Sequence, residues 1–242
     1  MPEKPRSIKA LIDYIARYDP GFPGRIRGAP ESVIHTLEQI VGMPLPLLYR
    51  EFLSYMGQDN GGLEIHSDAT TNIDEVIDYY RDRKELELGF PENCIVIAVR
   101  GTDVPDLSLE LSGALRVFLT SGTVIKGLVA DSFENLLFQE AFIGFRMPAL
   151  PRNGIYTNRT KSAQLAAARE LALSMGFRPL WFSDSITFCG EAEQAAIYIN
   201  QYEKRGLFVR LQAVSKEKVD QLALPFIRDF GVEFQMEHRR DS

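Results

Sequence analysis

Three histidines, two cysteines and a few short carboxylate pairs are the residues of this chain that could do chemistry. Glu64, His66 and Asp68 alternate, so on a strand they would share one face where a cation could meet them. A solvated strand face explains the same spacing. His35 sits among helix-spaced apolar residues and His238 stands apart. No Cys or His cluster has metal-ligand spacing, so neither metal nor cofactor is expected. Cys94 and Cys189 lie in apolar segments without an activating pattern. They read as two small buried thiols in a reduced compartment. There is no Gly-x-Ser-x-Gly elbow, and Asn60-Gly61-Gly62 lacks the lysine of a phosphate loop. Asp74/Asp78 and Asp103/Asp106 could do acid–base work. Helix solvation and turn chemistry account for them at least as well, so no enzyme is expected.

The elements that hold these residues start with an amphipathic helix capped by Ser7, with Ile8, Leu11, Ile12 and Ile15 on one face. Pro30 opens a second helix with Val33, Ile34, Leu37, Ile40 and Val41 inward, and Gly42 ends it. Pro44 and Pro46 force a turn. Leu47, Leu48, Phe52, Leu53 and Met56 then form another apolar helix face, closed by Asn60-Gly61-Gly62, residues that accept positive φ. Leu63 to His66 alternates like a short strand. Thr71 or Asn72 caps a helix with Ile73, Val76, Ile77 and Tyr80 inward, acid early and base late as the helix dipole favours. Residues 94–99, 107–111, 115–120 and 123–129 read as strands joined by short turns, with Ser108 and Glu110 facing out, and imply an antiparallel sheet. Asp131 or Ser132 caps a closing helix with Phe133, Leu136, Leu137 and Phe138 inward.

The order of these motifs is similar to that of the SUKH superfamily. That pattern has an acidic residue and a glycine near a helix end, Leu-Pro, an aromatic, Phe-Leu, Asn-Gly-Gly, and a closing helix opened by Ser-Phe. Here these are Glu38, Gly42, Leu45-Pro46, Tyr49, Phe52-Leu53, Asn60-Gly61-Gly62 and Ser132-Phe133-Glu134 with Leu136-Leu137. The resemblance covers about residues 23–145. It implies an α+β fold in which helices flank an antiparallel sheet. It also implies one of two functions: an immunity protein that neutralises a cognate toxin, often a nuclease, or a regulatory adaptor like the yeast regulator of cell-wall synthesis in the same group.

Domains are expected at 1–146, a linker at 147–162 rich in Pro, Asn-Gly and basic residues, and a second domain at 163–242. The second reads as helix, strands, hairpin, helix and strand. That order suits a small two-layer α+β sandwich, for which a ferredoxin-like arrangement is one solution. Its rings, Trp181, Phe182, Phe188, Tyr198, Tyr202 and Phe208, could stack bases, but flanking charge is thin and alternation would bury most of them. Residues 1–150 hold 14 Lys and Arg against 22 Asp and Glu, net −8, while residues 151–242 hold 13 against 11, net +2. An acidic chain argues against a nucleic-acid or anionic-membrane partner and fits a basic protein. There is no apolar leader core and no run near the ~20 residues needed to span a bilayer. A cytoplasmic protein is expected, with Glu64, Asp68, Asp74, Asp78, Asp103 and Asp106 as contact candidates for the toxin.

Overall fold

Capping and periodicity set the helices of the first half. The Ser7 hydroxyl accepts the amide of Ala10 at 3.1 Å and starts α1 (Ile8–Ala16). In the computed structural model, which describes residues 7–66, 69–101, 104–158, 165–201 and 206–236, the chain divides into two compact units, Met1–Ala141 and Phe142–Ser242. In the first, Ile26–Arg27 (β1) leads to α2 (Glu31–Val41), which stops where Gly42 takes φ +85° and its amide reaches Glu38 O. After the prolines comes α3 (Leu47–Met56), and then Asp59–Asn60 (β2) pairs antiparallel with β1. Helix α4 (Ile73–Glu85) buries Ile73, Val76, Ile77 and Tyr80, the four residues expected inward, and Asn72 caps it.

Four antiparallel strands follow in meander order: β3 (Cys94–Ala98), β4 (Asp106–Glu110), β5 (Val117–Ser121) and β6 (Val124–Ala130). Helix α4 packs against β3, and α5 (Phe133–Ala141), whose Asn135 amide donates to the Ser132 hydroxyl, packs against β6. Helices α3 and α5 meet in the core of the unit. The ring of Phe133 stands edge-on to Tyr49 at 5.8 Å and to Phe52 at 5.7 Å, with all three rings buried. Each such ring contributes about 1.5–3 kcal/mol by leaving water.

Three expectations for this unit need correction. Leu47 is 86% exposed, because the inward stripe of α3 is Tyr49, Phe52, Leu53 and Met56. Leu47 lies two residues before that stripe, about 200° away around the helix. Leu63 to His66 is not a strand. Leu63 and Ile65 are buried, but among the described residues no strand pairs with this segment, and β2, which ends three residues earlier, pairs with β1 instead. Ser108 does not face solvent: it is fully buried and shares a 2.7 Å hydrogen bond with the hydroxyl of Thr120 on β5.

The second unit opens with a π-helical turn, Phe142–Arg146. The expected linker contains a strand, β7 (Arg152–Thr157), paired on both sides inside a six-stranded sheet. Its alternation, with Tyr156 inward, is too short to stand out from the proline-rich context. After β7 come α6 (Leu165–Ser174), β8 (Arg178–Pro179), β9 (Thr187–Ala192), β10 (Ala195–Gln201), β11 (Leu207–Ala213), α7 (Lys216–Phe230) and β12 (Glu233–Met236). The sheet order is β12-β7-β11-β10-β9-β8, with every neighbouring pair antiparallel.

Both helices of this unit contribute to a single core, whose sheet residues include Tyr156, Phe188, Ile197, Ile199, Val209 and Leu211. The unit is therefore a two-layer α+β sandwich. It keeps the ferredoxin-like pairing of last strand beside first but places a four-strand meander where that fold has a hairpin. Helix α7 runs through Pro225 without a break. Of the ring set, Phe182, Phe188 and Tyr198 are buried, Phe188 in this core, while Trp181 and Phe208 are half-buried; Tyr202 lies outside the described residues. Both cysteines are free thiols, Cys189 buried and Cys94 half-buried. Among the described residues no helix is long and apolar enough to cross a membrane.

Candidate functional site

The glycine turn after α3 builds a cleft in the first unit. Asn60 organises it. Its Nδ2 donates to Leu63 O at 2.8 Å and to Thr71 Oγ1 at 3.2 Å, while its Oδ1 accepts the Gly62 amide at 3.2 Å. Gly61 has φ +68°, and a Cβ there would lie 2.9 Å from the Phe22 ring and 2.8 Å from Ile26. Only glycine meets both demands. From the other side Asn72 closes the frame. Its Nδ2 donates to Gln58 O at 3.0 Å, its Oδ1 caps the Asp74 amide at 2.9 Å, and the next amide, Ile73, donates to Gly57 O at 2.7 Å.

Between turn and helix start lies a cleft of about 350 Å³. Its floor includes Met56 and Leu63, and its walls carry Asp59, Glu64 and Glu75. Asp59 accepts the Gly61 amide at 2.9 Å, and Glu75 accepts the Thr70 hydroxyl at 3.1 Å. The dipole of α4 accounts for an acid in its first turn, but not for Glu64 or Asp59. Arg25 reaches the turn from behind, donating from Nε to Gly61 O at 3.2 Å. Its guanidinium is otherwise held by Asp19 at 2.5 Å, an ion pair that lowers the aspartate pKa. The cleft can therefore receive a cationic group.

The expected contact residues separate. Glu64 lines the cleft, and Asp74 and Asp78 lie exposed on α4, Asp78 paired with Arg81 at 3.2 Å. Asp106 differs from these: it is 7% exposed and bonded inside the fold. Its Oδ2 accepts the Tyr79 hydroxyl at 2.6 Å and its Oδ1 the Arg100 amide at 3.1 Å. Burial first, and then this bond, raise the pKa of Tyr79. Asp68 and Asp103 lie outside the described residues. Sequence reasoning missed Asp59 and Glu75; their signal was position, one beside the Asn-Gly-Gly turn and one just inside the helix cap. His66 holds φ +60°, and burial followed by the Arg100 charge lowers its pKa to about 4, so its ring is neutral near pH 7. Among the described residues no set of His, Cys, Asp and Glu could hold a metal ion.

Residues 8–139 match the SUKH_5 family model, described as SMI1-KNR4 cell-wall. No curated protein and no solved structure matches the chain. The matched segment runs from α1 into α5 and holds the glycine turn, the cleft and the Tyr49–Phe52–Phe133 core. It spans more than half of the sequence, and the chain belongs to the SUKH superfamily.

Proposed function

We propose that this chain is an immunity-type binding protein that holds a cognate toxin through the acidic cleft of its first unit and blocks it. The observation that carries the reading is the cleft itself, with Asp59, Glu64 and Glu75 around one concavity. Charge supports it: residues 1–141 hold 13 Lys and Arg against 22 Asp and Glu, net −9. Such a field attracts a basic surface and speeds its encounter. A nuclease, whose own substrate is polyanionic, presents that kind of surface. The chain acts by occupying the toxin, with no chemistry of its own.

The test is charge reversal at exposed positions. Glu64→Lys with Asp74→Lys and Asp78→Lys should weaken binding to the toxin encoded beside its gene by at least about tenfold at low salt, with most of the loss in the association rate. Unchanged tight binding would sink the acidic-cleft reading.

A second reading is a regulatory adaptor of the kind named in the matched family's description. It is favoured by the unit Phe142–Ser242, a folded sandwich beyond the matched segment and available for a second partner. A gene without a toxin neighbour, and a partner whose binding ignores the three reversals, would favour it.

A further inference from the structure

We infer that a second concavity of the first unit, between the ends of α2 and α4 and strand β3, is a site for a small amphipathic carboxylate. This groove is distinct from the acidic cleft and does not depend on the toxin reading. Its volume is about 250 Å³, and Ile40, Val41, Phe90, Ile95 and Leu111 give it apolar walls. At roughly 30 Å³ per heavy atom, the share of a water molecule, it holds about eight such atoms.

One wall is rigid before any ligand arrives. Tyr80 stacks on Phe90 at 4.6 Å, and its hydroxyl accepts the Val96 amide at 2.7 Å. Arg83 lies over the Phe90 ring at 5.4 Å. A preformed wall costs a ligand little ordering.

Lys84 supplies the charge. A lysine in the last turn of α4 is favoured by the helix dipole. The dipole does not explain its reach: Nζ crosses to Ile40 O at the end of α2, 2.6 Å away, and so stands at the lip of the groove. Its remaining N–H groups meet no carboxylate among the described residues. The nearby acid on β4, Glu110, is already held by Arg116 through two 2.8 Å bonds. An apolar trough with an ammonium at its mouth that pairs with no carboxylate among the described residues fits an anion with an apolar tail. A carboxylate of about six carbons fills the volume stated above.

Cys94 lines the same groove and gives the readout. Cys189 is fully buried, so alkylation of the folded full-length chain reports Cys94, with Cys189 as the internal control for unfolding. The probe is hexanoate, with hexanol as the uncharged match, and the rate of iodoacetamide labelling at alkaline pH is followed by mass spectrometry. Hexanoate should slow Cys94 labelling saturably. Hexanol should protect about five- to tenfold more weakly, the loss of one charge-assisted hydrogen bond at a half-open site. Lys84→Met should bring hexanoate down to the level of hexanol, and Ile40→Trp, which fills the groove, should remove protection by both. The inference is overturned if hexanoate leaves the rate unchanged, or if it protects the Lys84→Met variant equally well. Should Lys84→Met expose Cys189, Ile40→Trp alone decides, and persisting protection there also overturns the site.

Discussion

Asn60 is bonded to Thr71 across the mouth of the glycine turn, Nδ2 to Oγ1 at 3.2 Å, and this ties the end of α3 to the start of α4. The same amide serves Leu63 O and Gly62 N, so three bonds hang on one side chain. Asn60→Ala should cost about 1–3 kcal/mol in urea denaturation, because it leaves part-buried partners unsatisfied. It should also loosen the cleft, so its effect on partner binding should exceed that of Asn60→Asp. A neutral Asn60→Ala would show that the turn is held by glycine geometry alone.

Gly61 and Gly42 separate two causes of glycine dependence. Both have positive φ, +68° and +85°, but a Cβ on Gly42 meets nothing within 4 Å while one on Gly61 strikes Phe22 and Ile26. Gly42→Ala should cost about 1 kcal/mol, the αL penalty. Gly61→Ala should cost about 2 kcal/mol or more, since a clash is added. Equal losses would mean that the Phe22 ring moves aside freely.

Asp106 and Tyr79 form a structural pair between β4 and α4. Asp106→Asn and Tyr79→Phe should each lower stability, and a double-mutant cycle should give a coupling of about 1–2 kcal/mol. Neither change should alter partner affinity once the protein is folded. A selective loss of binding in Asp106→Asn would return that residue to the contact set.

His66 makes stability depend on pH in a stated direction. Its folded pKa, about 4, lies below the 6.5 of an ordinary imidazole. Between these values the unfolded chain binds the proton and the folded one does not, so stability rises with pH there. The contribution is complete above pH 6.5 and is lost as pH falls toward 4; at 1.36 kcal/mol per unit, about 2 kcal/mol is gone by pH 5. His66→Asn keeps a residue tolerant of φ +60° and removes the titration. Denaturant curves at pH 7.5 and 5 should show a smaller drop for the variant, and equal drops would remove His66 as the cause.

Local rules determined much of this protein. Ser7, Asn72, Ser132 and Ser215 cap helices, Gly42 and Gly231 end them in the left-handed region, and the inward stripe of α4 follows from spacing. These features depend on residues within about four positions of each other, so the chain states them directly. The same holds for the order of motifs from Glu38 to Leu137 that marks the family.

Tertiary structure decided what lies far apart in sequence. Spacing could not show that Ser108 is covered and bonded to Thr120, that Asp106 is taken by Tyr79, or that β7 is paired on both sides. Nor could it bring Asp59, Glu64 and Glu75 around one cleft. A carboxylate reads the same on a solvated helix, in a buried bond or at a cleft wall, because its environment is set by chain segments that loop closure brings together. The helices and the family were therefore legible in the residues, as was Glu64, and the meeting of the cleft's acids was legible only in the fold.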